Sequence, residues 1–428
     1  MSTAESPATV SRYAGPLALL LIATCAPLFG ALTFDLSQGA SVTRGLWLPV
    51  IGIEIALILT ARAGGFRPVP AIGFLPRSVS WPLGTWFAGA VGAAFLADDR
   101  PAAVIFLTYS VIHVMTAIAL HDRFANNWAP LRRAALVALA AGIAAFVLLA
   151  HIYASLAVAE QGFDWMLFGL AVTNVRHLGF YAVSLAGIGV GLLAASDLRP
   201  TEPGKWLIPF LLTAAGLYFV AWTGGRSPFL SVLVITAALM VVMGPGQRLK
   251  LFLSVILLAA AVMPLTFLTA PESKHYGLEN IVGRTTGEAE KKSPSIGIRT
   301  EMWAQTAQKI TEAPLLGYGQ NNWRTKVAAS NDANAHPHNM IMQVLFDWGI
   351  VGALSLAVIA LTGLSRLRGW IAANSSVALP AMGGLAGLGA MSMTDGVLFF
   401  AFPQFVIAVC IAVLASIRTI RGNDAAPS

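Results

Sequence analysis

Four separated parts of the chain carry side chains able to bind an anion and move a proton. Arg176 and His177 stand side by side, Arg226 lies in TGGRSPFL at 223–230, Arg299 lies in IRTEMW at 298–303, and His336, His338 and Asn339 share HPHN at 336–339. A guanidinium binds oxyanions through paired hydrogen bonds and stays charged at any relevant pH. An imidazole, with an ordinary pKa of about 6.5, is mostly neutral near pH 7 and can accept a proton. Brought together, such groups would stabilise a growing negative charge while deprotonating a weak nucleophile.

Each residue also has an ordinary reading. An arginine beside an apolar segment snorkels to the interface, a lone arginine on a helical face is solvated, and His or Asn at a helix start satisfies free amides. Gly224 and Gly225 permit a tight reversal before Arg226, and Ser227-Pro228 suits a helix start. Arg299 is expected in the first turn of a helix, where a bound anion would gain from the dipole and free amides as well. Pro337 keeps His336 extended and is suited to beginning a helix, which would put His338 in its first turn. Zinc is the weaker reading, because no third and fourth ligand stand at a recognised spacing. The loop carboxylates (Glu272, Glu279, Glu288, Glu290, Glu301, Glu312, Asp332) are dispersed, and Asp98-Asp99 reads as a solvated turn. No metal and no cofactor are expected.

These residues must be positioned by membrane helices. The chain is 57% hydrophobic and 11% charged, with a mean hydropathy of +0.72, against roughly 25% charged residues in soluble domains. Its apolar residues come in blocks of about 20, the length that crosses a bilayer as helix. Twelve helices are predicted at roughly 14–34, 45–61, 81–97, 101–120, 132–153, 178–195, 206–223, 227–243, 250–269, 339–364, 376–393 and 398–416. The first lacks a small-residue cleavage site and is read as a retained span. Glu54, mid-span in the second, should face the bundle. Cys25 and Cys410 sit inside apolar blocks and suggest neither a disulfide framework nor a metal site. The net charge of +7 is scattered between apolar blocks rather than gathered in a patch, so nucleic acid is not an expected partner. With the N-terminus inside, the cytoplasmic segments carry fifteen basic residues and the short external loops four: Arg44, Arg100, Arg176 and Arg226. That bias places both termini in the cytoplasm.

One connection is long. The predicted organisation is 1–269 (helices one to nine), 270–337 (an external loop) and 338–428 (helices ten to twelve and a cytoplasmic tail). Within the loop, Ile298, Met302, Thr306 and Ile310 recur at four-residue spacing and predict an amphipathic helix near 296–312. Its apolar stripe would lie on the membrane surface or on the bundle.

The ordered motifs GRSPFL, IRTEMW, PLLGYGQNNW at 314–323, HPHN, and FDWGIVG at 346–352 resemble the O-antigen ligase and polymerase superfamily. The likeness covers about 220–352 in motif and the whole chain in topology. It implies an all-α, GT-C-like polytopic protein of the Gram-negative inner membrane, with its active site facing the periplasm. It implies an O-antigen ligase: a donor glycan on undecaprenyl diphosphate, a lipid A-core sugar hydroxyl as acceptor, and a single inverting displacement without metal. On this likeness His338, followed by Asn339, matches the functional histidine and would be the general base. Arg226 and Arg299 match the essential arginines and, with Arg176 on a looser match, would bind the diphosphate. His336 departs from the family pattern as a second histidine; with Asn339 and His177 it is expected to support the site, and the 317–319 turn, which matches a family signature, to be structural. A monomer among membrane lipids is expected. An O-antigen polymerase or a protein O-oligosaccharyltransferase would share these residues. A transporter or lipid flippase, the reading from another class, should instead carry broken helices or charges near the midplane.

Overall fold

Long apolar runs with few helix breakers fold as helices, since every backbone amide must find a partner within its own segment in lipid. The structure, a computed structural model, describes residues 14–24, 39–157, 175–196, 203–270, 276–286, 295–327 and 336–417. Its helices in chain order are α1 (Ala14–Thr24), α2 (Gly39–Ala63), α3 (Pro68–Gly73), α4 (Arg77–Leu96), α5 (Arg100–Ala125), α6 (Arg132–Ala157), α7 (Val175–Ala194) and α8 (Pro203–Trp222). There follow α9 (Arg226–Val242), α10 (Pro245–Val262), α11 (Thr266–Thr269), α12 (Gly277–Thr285), α13 (Ser295–Glu312), α14 (Trp323–Lys326), α15 (Met340–Ser392) and α16 (Ala401–Ala415). No strand occurs among the described residues.

Among the described residues, six helices are long and apolar enough to cross a membrane: Arg77–Leu96, Arg100–Ala125, Ala129–Ile152, His177–Ala194, Pro245–Thr269 and Met340–Ser392. Ala14–Thr24, Trp206–Trp222, Arg226–Val242 and Ala401–Ala415 are shorter apolar helices. Among the described residues the apolar segments appear as helices, though not all of them reach spanning length. The tenth and eleventh are two arms of α15, whose 53 residues would extend about 80 Å if straight. The backbone turns at Asn374, where φ is −162° and ψ is 81°. The end of the first segment, 25–34, lies outside the described residues.

The centre of the bundle is α7, with 89% of its apolar window buried. Small residues let it approach its neighbours closely. A Cβ on Gly187 would overlap the Gly383 carbonyl, and one on Gly191 would overlap Leu379 and Pro380. Such small-residue seams are how membrane helices gain contact without a hydrophobic driving force. This seam aligns the start of α7, at His177, with the C-terminal end of α15. Glu54 is buried and meets His113 Nδ1 at 2.7 Å, so the expectation that it faces the bundle holds.

A second constraint sits at Gly349, the other break in α15, with φ 58° and ψ −162°. Only glycine adopts that conformation readily. The opened turn lends its backbone to the 314–319 segment. Tyr318 N donates to Phe346 O (2.8 Å), Gly319 N to Asp347 O (3.0 Å), and Ile350 N to Pro314 O (2.8 Å). Gly317 and Gly319 take positive φ values of 71° and 77° to follow this path. The stretch PLLGYG is thus threaded into a helix break and holds the C-terminal end of α13 against α15. Met302, Trp323, Val327 and Phe346 form a small core beneath, which settles the apolar stripe of α13 on the bundle.

Replacing Gly349 by Ala should therefore destabilise the protein markedly. The Cβ would meet the Leu315 carbonyl carbon and the backbone would leave an essentially glycine-only region, together worth about 3 kcal/mol. Thermal unfolding of the purified variant in detergent should show a clearly lowered Tm; an unchanged Tm would mean that the break is not strained.

Candidate functional site

The turn that joins α15 to α16 gathers chain segments far apart in sequence. Asp395 Oδ1 accepts from His338 Nδ1 at 3.2 Å and from Gly396 N at 2.9 Å. Burial by itself would raise the Asp395 carboxyl, but the hydrogen bond from His338, the electrostatic influence of the His338 and His336 rings, and the Gly396 amide together hold it well below the usual carboxylate range. An anionic Asp395 fixes the proton of His338 on Nδ1 and leaves a lone pair on Nε2. The two side chains are 17% and 12% exposed, so the pair is shielded but reachable.

His338 does not sit in the first turn of a helix, contrary to the expectation drawn from Pro337. Asn339 takes the N-cap, its side chain accepting from Met342 N at 3.1 Å, and the helix begins at Met340. Asn is among the strongest N-cap residues. His338 is left outside with φ +52°, an uncommon conformation for a side chain of this size. Two contacts over-determine it: the Asp395 bond, and its own N–H donating to His336 Nδ1 at 3.2 Å. Strain held in this way clusters at functional sites.

His336 is buried, with its ring against Phe399 and Phe400 and over Gly396, where any Cβ would overlap it. Its pKa lies well below the ordinary value, first because of burial and then because His338, His177 and Arg299 oppose a further positive charge, only partly offset by Asp395. His336 is therefore neutral and serves His338 as an acceptor. That dependence also places His177 and Arg299 within electrostatic reach of the pair. His177 packs on Phe400 with ring centroids 4.3 Å apart.

The arginines arrive on two elements. Helix α13 begins at Ser295, so Arg299 lies past its first four residues rather than in the first turn. One turn further, Trp303 Nε1 donates to Pro337 O at 2.8 Å and ties α13 to the histidine segment. Helix α9 begins at Arg226, with Gly225 as its N-cap. Its second residue, Ser227, exchanges a hydrogen bond with Thr394 at 2.7 Å, one position before Asp395. Asn280 Nδ2 donates to Gly224 O at 2.8 Å and holds the turn from the other side. Arg226 thus enters beside the Asp395 turn. The side chain of Arg176 lies outside the described residues.

Asp395 is the residue that sequence reading missed as part of the site. Its signal was an acid in a short external turn between two apolar blocks. It also supplies the third donor that spacing along the chain did not offer a metal. Donor atoms of His336, His338 and Asp395 lie within 4.8 Å of one another and could hold a divalent ion. The hydrogen bonds at His336 Nδ1 and at Asp395 Oδ1 occupy part of that donor set. The early acids have other partners: Asp98 pairs with Lys326 Nζ at 2.6 Å, and Asp99 caps α5 through Ala102 N at 3.0 Å.

A neutral buried His336 makes stability pH-dependent. Its folded pKa is depressed, so below the unfolded value near 6.5 the unfolded chain binds a proton that the folded chain does not, and stability falls with pH. The slope is up to about 1.4 kcal/mol per pH unit. Thermal unfolding between pH 7 and 5 should show this loss, and His336→Asn should flatten it; an unaltered profile in the variant would assign the loss elsewhere.

Residues 209–357 match the family described as O-antigen ligase, a span that holds Arg226, Arg299, His336 and His338. An O-antigen ligase of Pseudomonas aeruginosa is 29% identical over 195 residues, covering 45% of this chain and 43% of that protein. The chain thus spans less than half the length of the curated relative it matches. The matched segment, which bears Arg226, Arg299, His336 and His338, is thus similar to the O-antigen ligase family.

Proposed function

We propose that the protein is a glycosyltransferase that moves an O-antigen glycan from undecaprenyl diphosphate to a sugar hydroxyl of lipid A-core, at the periplasmic face of a Gram-negative inner membrane. The observation that carries this reading is the His338–Asp395 pair lying at the start of α9, which brings Arg226, and within reach of Arg299. The family match over 209–357, which holds Arg226, Arg299 and His338, supports the donor and acceptor classes. The excess of basic residues on the opposite side supports a periplasmic site.

In this mechanism the acceptor oxygen attacks the anomeric carbon as the bond to the diphosphate oxygen breaks. His338 Nε2 takes the hydroxyl proton, and Asp395 stabilises the imidazolium that forms. The electron pair of the broken bond leaves with the diphosphate, where Arg226, Arg299 and Arg176 stabilise the growing charge in a partly desolvated site. One displacement from the opposite face inverts the anomeric centre. His336, His177 and Asn339 position the base and do not touch the reacting atoms.

His338→Ala should leave expression intact and lower glycan transfer from purified lipid-linked donor by about 10²- to 10⁴-fold. Asp395→Asn should lower kcat by about 10²-fold or more while changing KM little, because the amide no longer selects the Nδ1–H tautomer. Turnover retained in either variant would remove that residue from its role. A cell lacking the gene should accumulate lipid-linked polymer and carry core-only lipopolysaccharide. Core bearing one repeat unit would identify a polymerase instead.

The reading uses no metal, since the arginines supply the positive charge. Prolonged chelation should accordingly leave the transfer rate unchanged. Loss of activity restored by one divalent cation would reassign His336, His338 and Asp395 as its ligands.

A further inference from the structure

Two cavities lie at the end of the bundle remote from His338, where α7, α9 and α10 reach the cytoplasmic boundary and α15 turns at Asn374. The first, about 420 Å³, is lined by Lys250, Gln247, Ser196, Ser254 and Ser375 together with apolar residues, with no acid lining it among the described residues. The second, about 410 Å³, lies between α8 and α10 and is almost wholly apolar, lined by Phe210, Leu257, Leu258 and Ala261 with Trp206 at its end. Leu193 and Ser254 line both, so the polar chamber and the apolar groove adjoin. The groove opens on the outer surface of the bundle, where Leu257 is 68% exposed.

The wall of the apolar groove also carries an unmet donor. The indole N–H of Trp206 is buried and has no hydrogen-bond partner among the described residues. A buried donor left in this way is costly and points to an absent acceptor. A cation in a polar chamber, and an adjoining apolar groove that opens toward lipid and has an unmet donor in its wall, ask for one elongated amphiphile. Its head must be anionic, its middle must carry oxygen acceptors, and its tail must be a hydrocarbon chain.

We propose that this is a binding site for an anionic phospholipid of the cytoplasmic leaflet. The phosphate sits against Lys250 with the serine hydroxyls and Gln247 around it. An ester carbonyl accepts from Trp206 Nε1, and one acyl chain lies along Leu257, Leu258 and Ala261. Basic pockets between membrane helices on the cytoplasmic side bind anionic headgroups by this electrostatic logic, and each chamber is of the size that ligand sites require. Free inorganic phosphate could satisfy Lys250 but would leave the groove and the indole unfilled. The site stands apart from the glycosyl-transfer chemistry; its lipid would brace the α7–α10 packing from the opposite end.

Native mass spectrometry of the full-length protein, titrated with phosphatidylglycerol or phosphatidylethanolamine, tests this. Phosphatidylglycerol should bind in preference, and Lys250→Glu should weaken it about tenfold or more, the scale of a lost charge-assisted contact. Lys250→Arg should retain most of the binding. Trp206→Phe, which keeps the ring and removes the donor, should weaken it several-fold, and provides a second test should Lys250→Glu fail to fold. Equal affinity for both lipids, unaltered phosphatidylglycerol binding in Lys250→Glu and Trp206→Phe, or stabilisation by inorganic phosphate equal to that by the lipid would overturn the proposal.

Discussion

The hydrogen bond between Asp395 and His338 joins residues 57 apart in sequence, and most of the external architecture is arranged so that it can form. The carboxylate belongs to the turn after α15, and the imidazole to the segment just before it. A helix that leaves the external face, turns at Asn374 and returns must bring its two ends together for the pair to meet. The glycine seam between α7 and the second arm of α15 sets the depth of that return. The N-cap at Asn339 releases His338 from the helix, so that the ring reaches sideways to Asp395 instead of projecting along the bundle. His336 completes the arrangement by accepting the His338 amide, and it can do so only because residue 396 has no side chain.

The second organising device is the break at Gly349. An unbroken helix would satisfy its own amides and offer nothing to the loop. Opened there, it pairs with 314–319 and anchors the far end of α13, while Trp303 anchors that helix to the histidine segment. Arg299 is therefore carried on an element held at both ends. Arg226 is held differently, by Gly225 as N-cap and by Ser227 on Thr394. Charged groups meant to receive an anion gain most when their positions are fixed before the anion arrives.

Much of this could be read along the chain, and the remainder fails for physical reasons. Apolar blocks mark helices because lipid permits little else, and the spacing of Met302, Thr306 and Ile310 marks a face whose partners, Trp323 and Phe346, are the aromatic residues of the neighbouring motifs. Arg226, Arg299 and His338 are legible as unusual residues on the external side. Asp395 is not, because its importance lies in a partner that chain distance conceals. The displacement of His338 from the helix was in principle legible, since Asn at 339 is a stronger capping residue than the proline signal two positions earlier. The two arms of α15 are both found by composition, and the non-helical backbone at Asn374 marks the kink that separates them.

The central claim is that one diphosphate is held by Arg226 and Arg299 with its sugar facing His338. It is tested most directly by an electron cryomicroscopy structure of the protein with a non-transferable lipid diphosphate glycan. The account expects diphosphate oxygens within hydrogen-bond distance of both guanidinium groups and the anomeric carbon on the side of His338 Nε2. Density for the diphosphate away from these residues, or at the opposite end of the bundle, would contradict it.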